Sequence, residues 1–480
     1  MDGQRLVLPR RIAVAATAAG LSIQLALVFL KPLWADEIFT LDVARRSFPG
    51  IVAALRTDSG PPLHYFVAHA LLLPFGGPGP ADVVVRLLSL LASALHVPLL
   101  LLVARRLGRT ETGWPAAALF SLLPVAASFG SEGRGYALAS LLVLAAFERS
   151  LALGERPLMR TAVTAGALAG LAFLTHYLAL FPLLGIALVC GRRGPRKLQA
   201  VSAAVATAAV LAWLPVAAGQ PRAAMAWVAR ATPSVAVPRF LTNVSLGIDD
   251  PGLGALLHAA LAAAALLAAG LILLSFLRGG RAAGVILGGG ALLVLGSLAV
   301  PELLLPERSA VLFLPYTALA LASAGPLAST AAGFLAAAFL GLAFPSWISS
   351  SPQEELAAGL LPPVLRGAHV VAVGPWGPEL GYRMARAGHP GAVDLFPSDV
   401  EKHPGWYAEE EVPDARLLEE ATRAVARQGD LLFVLPRGSR ASEALRREVE
   451  RCGGSRVGSS IYLEILRLPG SRRRAAATAP

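Results

Sequence analysis

The chain has 480 residues, of which 55% are hydrophobic and 15% charged, and its mean hydropathy is +0.61. Its two cysteines, Cys190 and Cys452, exclude a zinc ribbon and a framework of several disulfides. A helix needs about twenty apolar residues to cross a bilayer, and the chain offers roughly ten stretches of that kind. We therefore expect a polytopic helical membrane protein, in which each spanning segment satisfies its own backbone hydrogen bonds.

The formal net charge of +11 raises the question of a nucleic-acid partner. Much of the Arg and Lys lies in short loops between apolar stretches, which is the pattern of cytoplasmic loops in membrane proteins. The bilayer is therefore the expected partner, and nucleic acid is not. The N-terminal segment "MDGQRLVLPRR" is basic, so we expect it to be cytoplasmic. The first apolar stretch is long and has no small-residue cleavage site, so it is expected to stay as a helix.

In chain order, hydropathy and loop charge predict about eleven crossings. They cover residues 12–30, 86–103, 114–129, 136–153, 161–174, 178–190, 201–217, 253–276, 282–300, 310–324 and 327–344. The stretch "IFTLDVARRSFPGIVAALR" is predicted to be a helix lying in the interface, and residues 62–75 a juxtamembrane or re-entrant helix. Residues 220–250 are predicted to be a longer outer loop. Residues 1–350 thus form the expected transmembrane domain.

Residues 351–470 have the composition of a small α/β domain, followed by a tail, residues 471–480, that is expected to be disordered. The predicted strands are "HVVAVG", "AVDLF", "DLLFVLP" and "IYLEILRL", and the predicted helices are "ARLLEEATRAVARQG" and "SEALRREVERCGG". A partly parallel sheet is expected. The segment "GPWGPELG" follows the first strand but lacks the G-x-G-x-x-G spacing, so it is weak support for a nucleotide site. With eleven crossings, this domain is extracytoplasmic.

Polar residues from six segments fall at the outer ends of the predicted crossings. Charged side chains at such places are costly and mark candidate functional sites. The set consists of Asp36, Glu37, His64, Tyr65, His69, Arg86, Glu132, Arg134, Tyr136, His176, Tyr177, Glu307 and Arg308. Each has a structural explanation when taken alone: Asp36 as a helix cap, Glu132 with Arg134 as a local ion pair, Arg308 as a contact to lipid head groups. His96, inside a crossing, is expected to be a hydrogen-bonded core histidine.

This combination of side chains suits a phosphate on a lipid carrier that is attacked by a hydroxyl. A carboxylate at the bilayer edge can act as a general base, with a second acid beside it. Arginine makes bidentate contacts to phosphate, and histidine and tyrosine can hydrogen-bond a sugar. Because the set lies on the outer side, the donor is not expected to be a cytoplasmic nucleotide sugar.

Several of these motifs, in this order, resemble the GT-C superfamily of polyprenyl-phosphate-sugar-dependent glycosyltransferases. The resemblance is strongest to the bacterial branch related to protein O-mannosyltransferases and the lipid A aminoarabinose transferase. It is carried by "WADEIFTLDVAR", "PPLHYFVAH", "VVVRLLSLLASALHVPLLLLVARRLG", "SEGRGYALASLL", "THYLALFPLL" and "PERSAVLFLPY". The family has an aromatic residue or Met where this chain has Gly135, and commonly an Arg-Tyr pair where it has Arg308-Ser309.

The resemblance implies an α-helical GT-C-like membrane enzyme in a bacterial plasma membrane that transfers a sugar to an acceptor hydroxyl with inversion. Asp36 would be the catalytic base, with Glu37 beside it. The remaining site residues fall into two groups by implied role. Donor or phosphate contacts are Arg86, Glu132, Arg134, Tyr136 and Arg308, and other substrate contacts are His64, Tyr65, His176 and Tyr177.

No cofactor is required by this reaction, and no metal ligand set is dictated, although paired carboxylates are compatible with a divalent cation. Two other classes remain open on the residues alone. A transporter or flippase for a lipid-linked substrate would place polar residues at the bilayer midplane, where this chain has mostly Ala, Leu and Val. A membrane sensor or scaffold would not need an acidic pair after the first helix. The sugar, the carrier and the acceptor are not specified by the sequence.

Overall fold

The computed structural model describes residues 10–75, 81–191, 194–220, 233–245, 255–300, 303–349, 352–365, 367–373, 377–389, 391–396, 430–437, 440–451, 453–459 and 463–469. The chain divides into two compact units. The first comprises the described parts of Met1–Lys31, Gly60–Gly219 and Val228–Ile348, and the second those of Pro32–Ser59, Gln220–Trp227 and Ser349–Pro480.

The first unit is a bundle of α-helices. They are α1 (Arg10–Leu30), α4 (Leu63–Leu72), α5 (Ala81–Arg106), α6 (Gly113–Leu122), α7 (Pro124–Gly130), α8 (Tyr136–Glu155), α9 (Met159–Thr175), α10 (Leu180–Cys190), α11 (Arg196–Ala217), α12 (Pro233–Ser245), α13 (Ala255–Leu277), α14 (Arg281–Ala299), α15 (Pro306–Ala310), α16 (Leu314–Ala324) and α17 (Pro326–Ile348). Single 3₁₀ turns occur at Thr110–Thr112 and Tyr177–Ala179. Every one of the eleven predicted crossings corresponds to one of these helices or to a consecutive pair.

Within the described residues, six helices are long and apolar enough to cross a membrane, or seven if one bent pair counts as a single span. Others, such as α9 and α16, are apolar but shorter. The chain is a multi-pass membrane protein, and the count of eleven crossings stays a prediction. The helices pack closely where side chains are small: a Cβ on Gly20 of α1 would lie 2.5 Å from the carbonyl oxygen of Ser121 in α6.

The predicted crossing at residues 114–129 is broken into α6 and α7, which meet at 69°. Pro124 explains the break, because a proline restricts the residue before it to extended backbone. Leu123 has ψ 123° and so leaves the helical path. The break turns the end of α7 and the following loop, residues 131–135, toward α4 and α5 through contacts described below.

The second unit contains a five-stranded sheet with helices on both faces. Its elements are α2 (Ala35–Ala44), α3 (Phe48–Leu55), α18 (Pro352–Leu365), β1 (His369–Val373), α19 (Gly377–Arg386), β2 (Val393–Phe396), β3 (Leu431–Pro436), α20 (Arg440–Arg451), β4 (Ser455–Ser459) and β5 (Leu463–Leu468). The strand order is β2-β1-β3-β5-β4. Strands β1, β2 and β3 are parallel, whereas β5 runs antiparallel to β3 and β4, so the partly parallel sheet is confirmed.

Successive side chains of β1 point to opposite faces of the sheet, and each face packs against different helices. Val370 packs toward α18 and α19, whereas Val371 packs on the face covered by α20. All four predicted strands are present, as is the helix predicted from "SEALRREVERCGG". The helix predicted from "ARLLEEATRAVARQG" and the tail lie outside the described residues.

At four places the structure differs from the sequence predictions or adds an element that they lacked. The interfacial stretch forms two helices, α2 and α3, because Ser47 accepts a hydrogen bond from the amide of Gly50 and starts a new helix. The outer loop contains helix α12. The "GPELG" segment begins α19, whose Arg383 bonds Glu379 one turn earlier. Strand β4 was missed because "SRVGS" has little apolar character and lies at the sheet edge.

Candidate active site

The loop between α7 and α8 is the centre of the polar cluster in the first unit. The His64 ring donates from Nε2 to the carbonyl oxygen of Gly133 at 3.2 Å, and the Ser89 hydroxyl donates to that of Arg134 at 3.0 Å. Helices α4 and α5 thus hold the loop from two sides. The loop is tightly packed at Gly135, because a Cβ there would lie 3.1 Å from the His64 Cβ and 3.2 Å from the Thr175 carbonyl oxygen. A larger residue at this position would require these neighbours to move.

Arg134 lies half-buried in this loop and contacts a tyrosine of α4. Its Nη1 donates to the hydroxyl oxygen of Tyr65 at 3.3 Å. Tyr65 is itself packed edge-on against the His64 ring, with centroids 5.8 Å apart. The three predicted site residues His64, Tyr65 and Arg134 therefore lie together, and their roles stay predictions.

Glu132 forms a buried ion pair with Lys31, at the C-terminal end of α1. The Lys31 ammonium also donates to the Ser128 hydroxyl at 3.1 Å, and that hydroxyl donates to Glu132 Oε1 at 3.1 Å. Within the described part of the chain, the second carboxylate oxygen of Glu132 is buried without a hydrogen-bond partner. Glu132 is thus paired with Lys31, which the sequence reading had used only as the end of a helix.

His176, in the turn after α9, connects Arg134 with the late helix α15. Burial, and then the positive charges of Arg134 and Arg308, lower the pKa of His176 to about 3. The neutral ring accepts the Leu178 amide at Nδ1, 3.2 Å away, so its proton is on Nε2. The Tyr136 ring lies against it, with centroids 4.9 Å apart. Arg134 and Arg308 are therefore both close enough to act on one imidazole.

His64 is also neutral. Burial, and then the charge of Arg134, lower its pKa to about 4, although its bond to Gly133 acts in the opposite direction. Because Nε2 donates to that carbonyl, Nδ1 is an acceptor. Among the described residues this buried Nδ1 has no hydrogen-bond partner. It could accept a hydrogen bond from a sugar hydroxyl.

Arg86 and Tyr177 have structural contacts of their own. Arg86 is buried in the first turns of α5, and its Nη1 donates to the carbonyl oxygens of Val28 and Lys31, at 3.1 and 2.6 Å. It therefore caps the C-terminus of α1, where a cation is favoured by the helix dipole. The Tyr177 hydroxyl accepts the indole N–H of Trp213 in α11 at 2.8 Å. The phosphate role of Arg86 stays a prediction.

Asp36 and Glu37 belong to the second unit, where both are buried in the first turn of α2. The carboxylates therefore lie at the positive end of the helix dipole. Arg383 of α19 donates to the Leu33 carbonyl at 2.8 Å, directly before this turn, and is paired with Glu379. The second unit thus fixes the N-terminus of α2 through α19.

Among the described residues, no group of three or more His, Cys, Asp or Glu is arranged to hold a metal ion. His96 is a buried core residue, as expected. It bonds the carbonyl oxygen of Ala92 at 2.8 Å and Ser140 at 3.2 Å, and stacks on Phe120.

No family model matches the sequence, and no curated protein matches it. The fold, in contrast, is shared with a membrane protein of known structure. A crystal structure of ArnT from Cupriavidus metallidurans in the apo state matches with a TM-score of 0.60 at 14% identity, over 96% of this chain and 98% of ArnT. The structure of the same enzyme bound to undecaprenyl phosphate matches with a TM-score of 0.51 at 15% identity, over 97% and 99%. The expected resemblance to the aminoarabinose transferase branch is thus confirmed for the fold.

Four contributors to the cluster were missed by sequence reasoning: Lys31, Ser89, Ser128 and Trp213. Lys31 could have been found, because a lysine that ends a spanning helix on the same side as an acidic loop is a candidate ion-pair partner. The two serines and the tryptophan give no such indication, since Ser and Trp are ordinary residues at helix ends and interfaces.

Proposed function

We propose that this chain is a membrane glycosyltransferase that moves a sugar from a polyprenyl-phosphate-linked donor to an acceptor hydroxyl on the extracytoplasmic side. The observation that carries the proposal is the polar cluster at the loop between α7 and α8, where Arg134 donates to Tyr65, His64 bonds Gly133 and the Tyr136 ring packs on His176. After burial, the charges of Arg134 and Arg308, which are far apart in sequence, lower the pKa of His176 in this cluster. Two guanidinium groups that converge at the ends of membrane helices suit the phosphate of a lipid carrier. The ArnT-like fold supports the same class of reaction.

In the proposed reaction the bond between the anomeric carbon and the phosphate oxygen breaks as the bond to the acceptor oxygen forms. Asp36 takes the proton of the acceptor hydroxyl, and the polyprenyl phosphate leaves with the electron pair of the broken bond. The negative charge on the phosphate grows during this step. Arg134 and Arg308 are the residues proposed to neutralise it, and fixed charges of this kind are usually the largest contribution to catalysis.

The neutral histidines and the tyrosines would orient the sugar. His64 offers an acceptor at Nδ1, and His176 carries its proton on Nε2, so the pair can both accept and donate hydrogen bonds to hydroxyl groups. Protonation of these rings is opposed by burial and the neighbouring arginines. The general base is assigned to the carboxylate of Asp36, as the resemblance to the GT-C superfamily implies.

The test is transfer activity of the purified full chain with a panel of undecaprenyl-phosphate-linked sugars and three acceptors: a glycolipid, a polysaccharide and a Ser/Thr peptide. Asp36→Asn should lower turnover by at least about a hundredfold, which is the low end for loss of a general base. Asp42→Asn is the matched control. It changes an exposed aspartate of the same helix, whose partner is Arg46, and should leave turnover unchanged.

No transfer from any donor would refute the glycosyltransferase proposal. Near-normal turnover of Asp36→Asn, with the native chain active, would instead refute only the role of Asp36. Glu37→Gln distinguishes the two acidic residues, because a supporting role predicts a smaller loss than that caused by Asp36→Asn.

A further inference from the structure

The helix break between α15 and α16 is held by an unusual hydrogen bond. Residue 315 is a proline, which has no N–H, so the carbonyl oxygen of Val311 lacks its normal helical donor. The nearest backbone donor, the Leu314 amide, is 3.4 Å away, which is long for such a bond. A buried carbonyl left in this state is costly unless a side chain supplies a donor.

Ser140 of α8 is the side chain that supplies it. Its hydroxyl oxygen lies 3.2 Å from the Val311 carbonyl oxygen, and its side chain is almost completely buried. A second bond joins the same two elements in the other direction, since the Tyr316 hydroxyl donates to the Val143 carbonyl oxygen at 3.1 Å. Helix α8 therefore anchors the start of α16 on both sides of Pro315.

His96 of α5 offers a second acceptor to the hydroxyl of Ser140. Its Nδ1 lies 2.8 Å from the Ala92 carbonyl oxygen and must donate there, so Nε2 of the neutral ring is an acceptor. That acceptor is 3.2 Å from the Ser140 oxygen. The single hydroxyl proton of Ser140 can serve only one of these two acceptors at a time, and its bond to the Val311 carbonyl oxygen is the one that compensates the missing helical donor.

The break determines where Arg308 lies. Val311 is one turn after Arg308, and its amide donates to the Glu307 carbonyl oxygen at 3.2 Å, so the two residues belong to one continuous turn. Loss of the anchor at Val311 would let this turn shift with its arginine. Arg308 is also the arginine whose charge reaches His176 in the candidate site.

We propose that Ser140 is a positioning residue for Arg308: its hydroxyl compensates the donor that Pro315 lacks and so fixes the short helix that carries the phosphate-binding arginine. The part of this proposal that concerns phosphate rests on the proposed function. The part that concerns the position of the helix does not, because it follows from the hydrogen bonds alone.

The experiment compares Ser140→Ala with Ser150→Ala in the full chain. Ser150 is the matched control, because it lies on the same helix and its hydroxyl bonds only the Ala146 carbonyl oxygen of that helix. Two quantities are measured: hydrogen exchange of peptides covering residues 306–314, and affinity for undecaprenyl phosphate. Ser140→Ala should speed exchange in that segment and weaken binding roughly tenfold, which is the effect of one buried carbonyl left unsatisfied.

Ser140→Thr keeps the hydroxyl and should recover slow exchange and most of the affinity. A second variant, Tyr316→Phe, removes the other anchor while conserving volume. Its effect on exchange should be smaller, because the Val143 carbonyl keeps its helical donor when the tyrosine hydroxyl is lost. If Ser140→Ala does not fold, Ser140→Thr and Ser140→Val decide the matter, because the two side chains have the same shape and differ in the hydroxyl: equal exchange in residues 306–314 of the two variants would refute anchoring by Ser140.

Exchange in Ser140→Ala equal to that in Ser150→Ala would overturn the proposal. Faster exchange with native affinity would overturn the link to Arg308. Failure of the proposed function would give a different result, because the native chain itself would then not bind undecaprenyl phosphate. The exchange comparison would still decide whether Ser140 fixes the helix.

Discussion

The ion pair between Lys31 and Glu132 should be strongly coupled, because both side chains are mostly buried, with 12% and 6% exposed. In Glu132→Gln the ammonium of Lys31 loses its counter-charge, while the new amide oxygen can still accept from Ser128. Removal of one partner of a buried pair typically costs about 3–5 kcal/mol. The Trp347 ring, with its centroid 6.0 Å from the Lys31 Nζ, retains a small cation–π contribution, so we expect a value near about 3 kcal/mol.

A double-mutant cycle measures this coupling. Lys31→Met removes the charge with an apolar chain of similar length, and the double variant leaves no uncompensated charge. The free energy of unfolding, measured by denaturant titration of the purified protein in detergent, should fall in each single variant and recover most of the loss in the double. Glu155→Gln is the control: that carboxylate is 46% exposed and paired with Arg106, so its loss should cost less than about 1 kcal/mol.

Additive losses in the double variant would refute the argument, since they would mean that the two charges do not stabilise each other. A loss in Glu132→Gln no larger than that in Glu155→Gln would do the same, because burial is what distinguishes the two pairs.

Three further predictions concern the cluster itself. Arg308→Ala should weaken binding of undecaprenyl phosphate, and Arg308→Lys should restore only part of it, because a lysine cannot make a bidentate contact; full restoration in a binding titration would contradict that geometry. His176 has a pKa of about 3 when folded and 6.5 when unfolded, so the unfolded chain binds the extra proton. The free energy of unfolding should therefore fall as the pH drops from about 6.5 toward 3. If His176→Gln shows the same dependence of unfolding free energy on pH, the effect comes from another group. Gly135→Ala should lower the free energy of unfolding by about 1–3 kcal/mol through overpacking against His64 and Thr175. An unchanged value in the same unfolding assay would show that the loop rearranges to accept the methyl group.

The spanning helices and most strands could be predicted from the sequence because each depends on local information. A stretch such as residues 136–153 must be helical in a bilayer whatever its neighbours are, since only the helix satisfies its backbone. The buried strands β1 and β3 likewise carry continuous apolar residues of strand length. The edge strand β4 and helix α12 lack such a pattern, and their formation depends on contacts with other elements.

For the site, the sequence by itself determined which residue types come to helix ends: the arginines, the histidines and the acidic residues of the cluster. Only the tertiary structure decided their partners. It paired Glu132 with Lys31 and not with Arg134, it placed Arg86 on the end of α1, and it brought Arg134 and Arg308 to one imidazole. The physical reason is that hydropathy and helix propensity are properties of neighbours along the chain, whereas a hydrogen bond or an ion pair between residues 101 or 171 positions apart depends on how whole helices pack.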